Sequence, residues 1–100
     1  KGFDTFCPLG PWIETDFEPG SQQITTTLDG EIKQSDVLTS MTFKIPEIIE
    51  FISSVMTLLP GDVILTGTPA GIAPMPAGSE VVITIEGIGS LSNKVSPRAK

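Results

Sequence analysis

A threonine in a glycine- and proline-rich loop is the side chain whose setting most suggests binding chemistry. Residues 61–71, GDVILTGTPAG, start as a short β-branched, apolar run and end in loop 67–71 around the hydroxyl of Thr68. Glycines on both sides let such a loop turn its backbone N–H groups toward one point, which forms an anion-binding nest. No Lys-Ser or Lys-Thr pair follows the last glycine, so the loop is not a Walker A phosphate loop. Taken alone, the pattern is more typical of a plain connection between strands.

The lysine that opens the sequence is a second candidate. Lys1 stands beside glycine and aromatic residues in KGFDTFCPLGPWI. A partly desolvated ammonium is a better proton donor and can stabilise an enolate. On composition alone, a solvated lysine is the more ordinary interpretation.

The absence of histidine excludes several kinds of catalytic site. Ser-His-Asp and Cys-His pairs and histidine-based zinc sites cannot form within this chain. Cys7 has no imidazole partner, so we expect a small packed thiol. Glu14, Asp16 and Glu18 alternate in a proline-flanked stretch typical of a solvated loop. The sequence therefore offers no convincing set of three oxygen ligands for a metal.

Composition and charge limit the class of protein. With 39% hydrophobic and 18% charged residues the chain is ordinary globular material, either one modest domain or part of a larger one. A net charge of −6 and a pI near 4.3 argue against a nucleic-acid surface. No apolar run approaches the roughly 20 residues that span a bilayer, and no signal-peptide pattern opens the chain. One cysteine indicates a reducing compartment, so we expect a cytoplasmic protein without a membrane partner.

The spacing of apolar residues predicts a mostly β fold with one main helix (α+β). Strands are expected at 22–28 and 31–35, joined by Asp29-Gly30, because a type I′ turn needs positive φ at both central residues. Further strands are predicted at 62–66, 80–86 and 91–96, the last two connected through 87–89. The helix is predicted over 45–59, with Pro46 in its first turn and Pro60-Gly61 at its end.

The remaining residues raise the question of what covers the sheet. Residues 1–20 are too rich in proline and glycine for a long helix, and we expect their apolar side chains to anchor them on a core. These side chains are Phe3, Phe6, Leu9, Trp12, Ile13 and Phe17. The short elements enclose a small core and leave strand edges open, which predicts a further segment that covers them.

Three stretches, in this order and spacing, resemble the C-terminal half of the fumarylacetoacetate hydrolase family. They are KGFDTFCPLGPWI, SDVLTSMTFKIPEIIEFIS and LLPGDVILTGTPAGIAPMPAGSEVVITIEGIGSLSNKV. The likeness covers essentially the whole chain and points to the branch of bacterial acylpyruvate hydrolases and 2-hydroxyhepta-2,4-diene-1,7-dioate isomerases. The lysine-containing opening and the GDVILTGTPAG loop are far more specific together than either is alone.

This resemblance implies a fold and a chemistry. The fold would be part of a mixed β-sandwich roll, usually dimeric, with a divalent cation, Mg²⁺ or Mn²⁺, in a cleft. The cation would chelate a 2-oxo acid, and hydrolysis, tautomerisation or decarboxylation would pass through a metal-stabilised enolate. By position, Lys1 matches the family's catalytic and substrate-binding lysine, and Thr68 matches the threonine that holds the substrate carboxylate.

The resemblance also implies what lies elsewhere. The family's metal ligands precede the lysine, so we expect residues 1–100 to be the C-terminal portion of one catalytic domain, with metal ligands upstream. The expected partners are a small 2-oxo acid, the N-terminal half of the same domain and a second copy in a homodimer, but no nucleic acid.

Three functions remain open on these residues. The leading one is metal-dependent hydrolysis of a carbon–carbon bond in acylpyruvates such as fumarylpyruvate, in the breakdown of aromatic compounds. The alternatives are an isomerase or decarboxylase of 2-hydroxyhepta-2,4-diene-1,7-dioate-type acids, and a catalytically silent structural fragment. We expect the isolated 100 residues to be inactive.

Overall fold

The computed structural model describes residues 2–98 as one antiparallel sheet and one main helix. In chain order the elements are β1 (Gln23–Leu28), β2 (Glu31–Val37), a short 3-10 helix (Leu38–Ser40), α1 (Ile45–Val55), β3 (Glu80–Ile85) and β4 (Gly89–Lys94). The strand order is β2-β1-β3-β4, so β1 and β3 occupy the centre of the sheet. The predicted class, mostly β with one main helix, is confirmed.

The β1–β2 hairpin forms around the predicted turn and contains a bulge. Asp29 (φ 50°) and Gly30 (φ 82°) both have positive φ, as a type I′ turn requires. The register shifts between Thr26, which pairs with Gln34, and Thr27, which pairs with Ile32. Lys33 is therefore the extra residue of a β-bulge, and the bulge places Lys33 and Gln34 beside a loop described below.

The β3–β4 hairpin accepts part of the irregular N-terminal segment. Its connection runs through residues 87–89, as predicted. Gly87 and Gly89 both have positive φ. The indole of Trp12 lies so close to Gly89 that a Cβ there would come 2.7 Å from ring atom Cζ2. A Cβ on Gly87 would lie 3.5 Å from Cε2 of Phe17. Both aromatic side chains thus contact the hairpin at its glycines, although Trp12 is still 55% exposed.

The other apolar residues of this segment are not anchored, so that expectation is wrong for the chain as described. Phe3, Phe6, Leu9 and Ile13 are exposed, Ile13 by 90%. The rings of Phe3 and Phe6 pack on each other, with centroids 5.2 Å apart. The physical reason is that residues 2–98 provide no apolar layer above them.

Two further predictions from the sequence, one strand and the end of the helix, are wrong. Residues 62–66 form no strand, because no neighbouring strand in residues 2–98 completes a ladder with them. The helix ends at Val55 instead of 59, and Met56 is extended (φ −149°, ψ 153°). Leu59 and Asp62 form a turn in which each backbone N–H bonds to the other residue. Pro60 also disfavours helical geometry at the residue before it.

Residues 2–98 bury no hydrophobic side chain. The buried residues are polar: Gln34 (9% exposed) and Ser79 (5% exposed). The radius of gyration of 15.0 Å exceeds the value of about 13 Å for a compact domain of 100 residues. A sheet and a helix each need a neighbouring layer to cover their apolar faces. Residues 2–98 leave these faces uncovered.

The 11-residue α1 begins with Ile45 and carries Pro46 in its first turn, as predicted. The backbone N–H of Lys44 donates to Oε2 of Glu47 at 2.6 Å, which gives the helix start a side-chain acceptor. Within residues 2–98, no helix has both the length and the apolar character that crossing a bilayer demands.

Candidate functional site

A cleft of about 300 Å³ lies between the 3-10 helix, the start of α1 and loop 66–69. One part of its wall is apolar and consists of Ile24, Val37, Leu38, Met41, Phe43 and Ile48. The other lining residues are the polar Asp36, Ser40, Thr42, Thr66 and Thr68, together with Gly67 and Pro69. The predicted binding residue, Thr68, is thus in the wall of a cleft, where its side chain is exposed.

Gln34 ties the loop that carries Thr68 to the sheet. Its Nε2 donates to Oγ1 of Thr68 at 2.8 Å and to the carbonyl oxygen of Pro69 at 2.7 Å. Gln34 is buried in β2, next to the bulge at Lys33. The sequence assigned no role to Gln34, because no local pattern shows that a strand glutamine reaches a loop 34 residues later.

Gly71 brings the far end of the same loop against β2. Its φ is +103°, and a Cβ would collide with the carbonyl oxygen of Lys33 and lie 3.0 Å from the carbonyl carbon. Only glycine leaves room for the bulge at this point. The loop is therefore held at two places, by the amide of Gln34 and by this close backbone contact.

Backbone donors of the loop remain available to an external acceptor. The N–H groups of Gly67, Thr68, Ala70 and Gly71 bond to no acceptor within residues 2–98. Exposed N–H groups next to a hydroxyl are the donor set that binds carboxylates and other anions. The donors required for the predicted anion-binding loop are present.

Asp36 is an acidic group of the cleft that the sequence reading missed. Its Oδ1 accepts from Oγ of Ser40 at 2.6 Å and from the backbone N–H of Val37 at 2.7 Å. The hydrogen bond from Ser40, followed by that from Val37, lowers the pKa of Asp36 below its ordinary value of 3.8. Asp36 is thus ionised at neutral pH and fastens the 3-10 helix that forms one side of the cleft.

The lining residues of the cleft described here include no lysine, arginine or histidine. Lys1, the predicted catalytic cation, lies outside the described residues, so its pairing with Thr68 stays a prediction. Cys7 is a free, half-buried thiol. Between residues 2 and 98, no three His, Cys, Asp or Glu side chains gather as a metal site would require. The residues present therefore do not fit a divalent cation by themselves.

Comparisons with known proteins are consistent with one another. Residues 1–96 match the family model described as fumarylacetoacetate (FAA) hydrolase C-terminal. A solved structure of 2-hydroxyhepta-2,4-diene-1,7-dioate isomerase from Mycobacterium marinum is 53% identical, with a TM-score of 0.95 over 100% of this chain and 40% of that one. Maleylpyruvate hydrolase from Sphingobium sp. SYK-6, solved with manganese(II) and pyruvate, is 36% identical, with a TM-score of 0.89 over 94% of this chain and 37% of that one.

A curated relative adds a third activity. The 4-hydroxyphenylacetate degradation bifunctional isomerase/decarboxylase of Salmonella dublin is 40% identical over 98 residues, which cover 95% of this chain and 23% of the relative. The chain spans between 39% and 43% of the lengths of three other curated relatives. The similarity therefore covers this chain almost completely and its relatives only in part.

Replacing Gly71 with alanine should cost more stability than replacing Gly78. Both glycines have positive φ, 103° and 92°, so backbone strain is similar, but a Cβ meets a carbonyl group only at Gly71. We expect Gly71→Ala to lower the free energy of unfolding by roughly 1–3 kcal/mol more than Gly78→Ala, the usual cost of overpacking. Denaturant unfolding of the complete polypeptide that carries this chain measures both. Equal losses would contradict the close approach of loop and bulge.

Ser40→Ala should raise the pKa of Asp36 toward 3.8, because it removes the hydrogen bond that lowers this pKa most. The pKa of Asp36 is lower folded than unfolded, so its contribution to stability is present above the ordinary pKa and is lost as pH falls through the folded pKa. Ser40→Ala should therefore reduce the loss of stability in acid. NMR titration of the Asp36 carboxyl measures the shift.

Ser53→Ala is the matched control, since Oγ of Ser53 donates to the backbone of Glu50 in α1. It should leave the titration of Asp36 unchanged. The hydrogen bond assigned to Ser40 is refuted if Asp36 titrates alike in Ser40→Ala and in the wild type.

Proposed function

The chain belongs to the fumarylacetoacetate hydrolase family, and from that membership we propose that it forms part of an enzyme that hydrolyses a carbon–carbon bond in acylpyruvate-type 2-oxo acids such as fumarylpyruvate. Its sheet and helix match the C-terminal part of that family's fold, seen also in the fumarylacetoacetate hydrolase of Exiguobacterium antarcticum. Relatives include hydrolases, isomerases and decarboxylases. Because the chain spans well under half of these relatives, the activity of the whole protein is a proposal.

The observation that carries the proposal is the set of donors at the cleft. The hydroxyl of Thr68 and N–H groups that have no acceptor within residues 2–98 lie on loop 67–71, part of which lines the cleft. A carboxylate accepts hydrogen bonds only, so these donors suit it, and bonds to a charged acceptor are stronger than neutral ones. The apolar side chains that also line the cleft suit a carbon chain. A neighbour solved with pyruvate supports the choice of a 2-oxo acid.

The proposed reaction needs two things from the protein: binding of the substrate carboxylate and stabilisation of the enolate charge. Water adds to the carbonyl carbon remote from the carboxylate, and the bond to the adjacent CH₂ breaks with its electron pair leaving toward the 2-oxo group. The products are a carboxylic acid and the enolate of pyruvate, which then gains a proton at carbon. Holding the carboxylate on Thr68 orients the 2-oxo group throughout.

Lys1 is proposed to stabilise the enolate charge, since an ammonium group fixed near a developing negative charge lowers the barrier to forming the enolate. We place the cation, Mg²⁺ or Mn²⁺, on ligands outside residues 2–98, because these residues hold no suitable cluster. The manganese bound to the maleylpyruvate hydrolase supports the use of a divalent metal in the family. The residues of this chain that are proposed to act on the substrate are Thr68 and Lys1.

An isomerase or decarboxylase is the second candidate. It is favoured by the Mycobacterium marinum isomerase and the Salmonella dublin isomerase/decarboxylase. Both reactions would use the same carboxylate seat and an enol or enolate of a 2-oxo acid. A catalytically silent structural fragment would instead leave Thr68 without a ligand.

The exposed apolar faces support a covering partner. Phe51 on α1 is 71% exposed and Ile72, after the Thr68 loop, is 82% exposed. Burying such side chains is worth roughly 1.5–3 kcal/mol each. We propose that the N-terminal half of the same domain covers these faces and that a second copy completes a homodimer in the cytoplasm.

Thr68→Val in the complete polypeptide should raise KM for acylpyruvates about 10- to 100-fold, since a hydrogen bond to a charged group is lost. Thr68→Ser, which keeps the hydroxyl, should stay near wild type, and Thr57→Val, in the exposed stretch after α1, should not change KM. Initial rates with acetylpyruvate, fumarylpyruvate, oxaloacetate and 2-hydroxyhepta-2,4-diene-1,7-dioate measure these effects and identify the reaction. If Thr68→Val changes only stability, the protein is a structural module.

The isolated 100 residues should bind Mg²⁺ poorly and turn over no acylpyruvate, because residues 2–98 lack a metal cluster and a buried core. Calorimetric titration with Mg²⁺ and substrate absorbance measure both, with the complete polypeptide as the positive control. Hydrolysis by the pure, mass-verified 100-residue chain would contradict the proposed division of the site.

A further inference from the structure

The amide of Gln34 has a fixed orientation. Its nitrogen lies 2.7 Å from the carbonyl oxygen of Pro69. A carbonyl oxygen only accepts hydrogen bonds, so the atom facing it must be the NH₂ group and not the oxygen of the amide. The second hydrogen of the same NH₂ group is then directed to Oγ1 of Thr68, at 2.8 Å.

This orientation determines what the Thr68 hydroxyl can do. A hydroxyl has one hydrogen and two lone pairs, and Gln34 occupies one lone pair. The hydroxyl hydrogen cannot bond to Gln34 Nε2, which offers no lone pair. Within residues 2–98, Thr68 Oγ1 donates a hydrogen bond to no acceptor. Its hydrogen is therefore available to a ligand that accepts.

Gln34 belongs to a regular strand, whereas the loop that it contacts has no regular structure. Gln34 lies in β2 and pairs with Thr26 on the central strand β1, whereas residues 66–69 belong to no ladder. Gln34 is also buried, so leaving its amide without partners would cost stability. A side chain locked in this way can keep a binding group in place on an otherwise unsupported loop.

We propose that Gln34 is a positioning residue that fixes the Thr68 hydroxyl as a hydrogen-bond donor to the substrate carboxylate. The inference rests on the proposed function, because it assumes that Thr68 binds a carboxylate. Gln34 itself touches the loop and not the substrate. It makes the site selective for ligands that accept hydrogen bonds, which carboxylates do and ammonium groups do not.

Two replacements of Gln34 separate orientation from simple support. Gln34→Leu removes both donors, so the hydroxyl loses its fixed partner but can still rotate toward a ligand. Gln34→Glu places an acceptor beside Oγ1, which draws the Thr68 hydrogen away from the ligand and repels the Pro69 carbonyl oxygen. We expect KM for acetylpyruvate to rise about 10- to 100-fold in Gln34→Glu and clearly less in Gln34→Leu, with kcat changed much less than KM.

Gln23→Glu is the matched control. Gln23 lies on β1 and its Nε2 donates to Oγ of Ser35 on β2 at 2.9 Å, so the same kind of amide-to-hydroxyl bond is altered outside the cleft lining. Its KM should equal that of the wild type. Thermal unfolding of each variant shows whether it is folded, and if Gln34→Glu does not fold, Gln34→Leu serves in its place.

A double-mutant cycle gives the decisive comparison. If Gln34 acts through the Thr68 hydroxyl, replacing Gln34 in a Thr68→Val background should change KM less than about twofold, because interacting residues are not additive. A purely structural role would reproduce the full effect in that background and overturn the proposal. A KM within about twofold of wild type in Gln34→Glu alone would overturn it as well.

Failure of the proposed function gives a different result. If the wild-type complete polypeptide neither binds pyruvate nor turns over acetylpyruvate, the carboxylate role is wrong, and with it the orientation toward substrate. NMR order parameters of residues 67–71 then test what remains of the proposal, namely that Gln34 holds the loop. Lower values in Gln34→Leu than in Gln23→Leu support that part, and equal values overturn it.

Discussion

The candidate site depends on one constraint, which is that an unpaired loop must be held against a sheet. Loop 67–71 has no strand partner in residues 2–98, and its own backbone donors are unbonded there. Two contacts with β2 replace a ladder: the pair of hydrogen bonds donated by the Gln34 amide and the close approach of Gly71 to Lys33. The bulge in β2 lies at both contacts, because Lys33 is its extra, unpaired residue and Gln34 is the paired residue that follows it. A local irregularity of the sheet thereby positions the groups that would bind a carboxylate.

The second physical feature is the absence of a hydrophobic core in the described residues. The sheet and α1 carry apolar faces that no second layer covers, and the buried side chains are polar. Such a chain has too little buried apolar area to offset the entropy of ordering it. These residues carry the N–H and O–H donors that are proposed to bind an anion. The covering layer and the cation are proposed to come from elsewhere in the protein.

What the sequence predicted correctly depends on local physics. The Asp29-Gly30 turn follows from the φ angles that those two residues tolerate, and the spacing of isoleucines in α1 follows from the helical period. The fold class and the family resemblance are also confirmed. The prediction of a strand at 62–66 was wrong because a strand needs a neighbouring strand to pair with, and β propensity alone does not provide one. The roles of Gln34 and Asp36 were missed because each depends on a contact that appears only in the folded chain.

A crystal structure of the complete polypeptide with pyruvate bound would show whether loop 67–71 holds the carboxylate. We expect a carboxylate oxygen of pyruvate about 2.5–3.0 Å from Oγ1 of Thr68, the range of O–H···O bonds, while Nε2 of Gln34 still donates to the same hydroxyl. Pyruvate bound away from loop 67–71, or a Thr68 hydroxyl turned from the ligand toward the sheet, would contradict it.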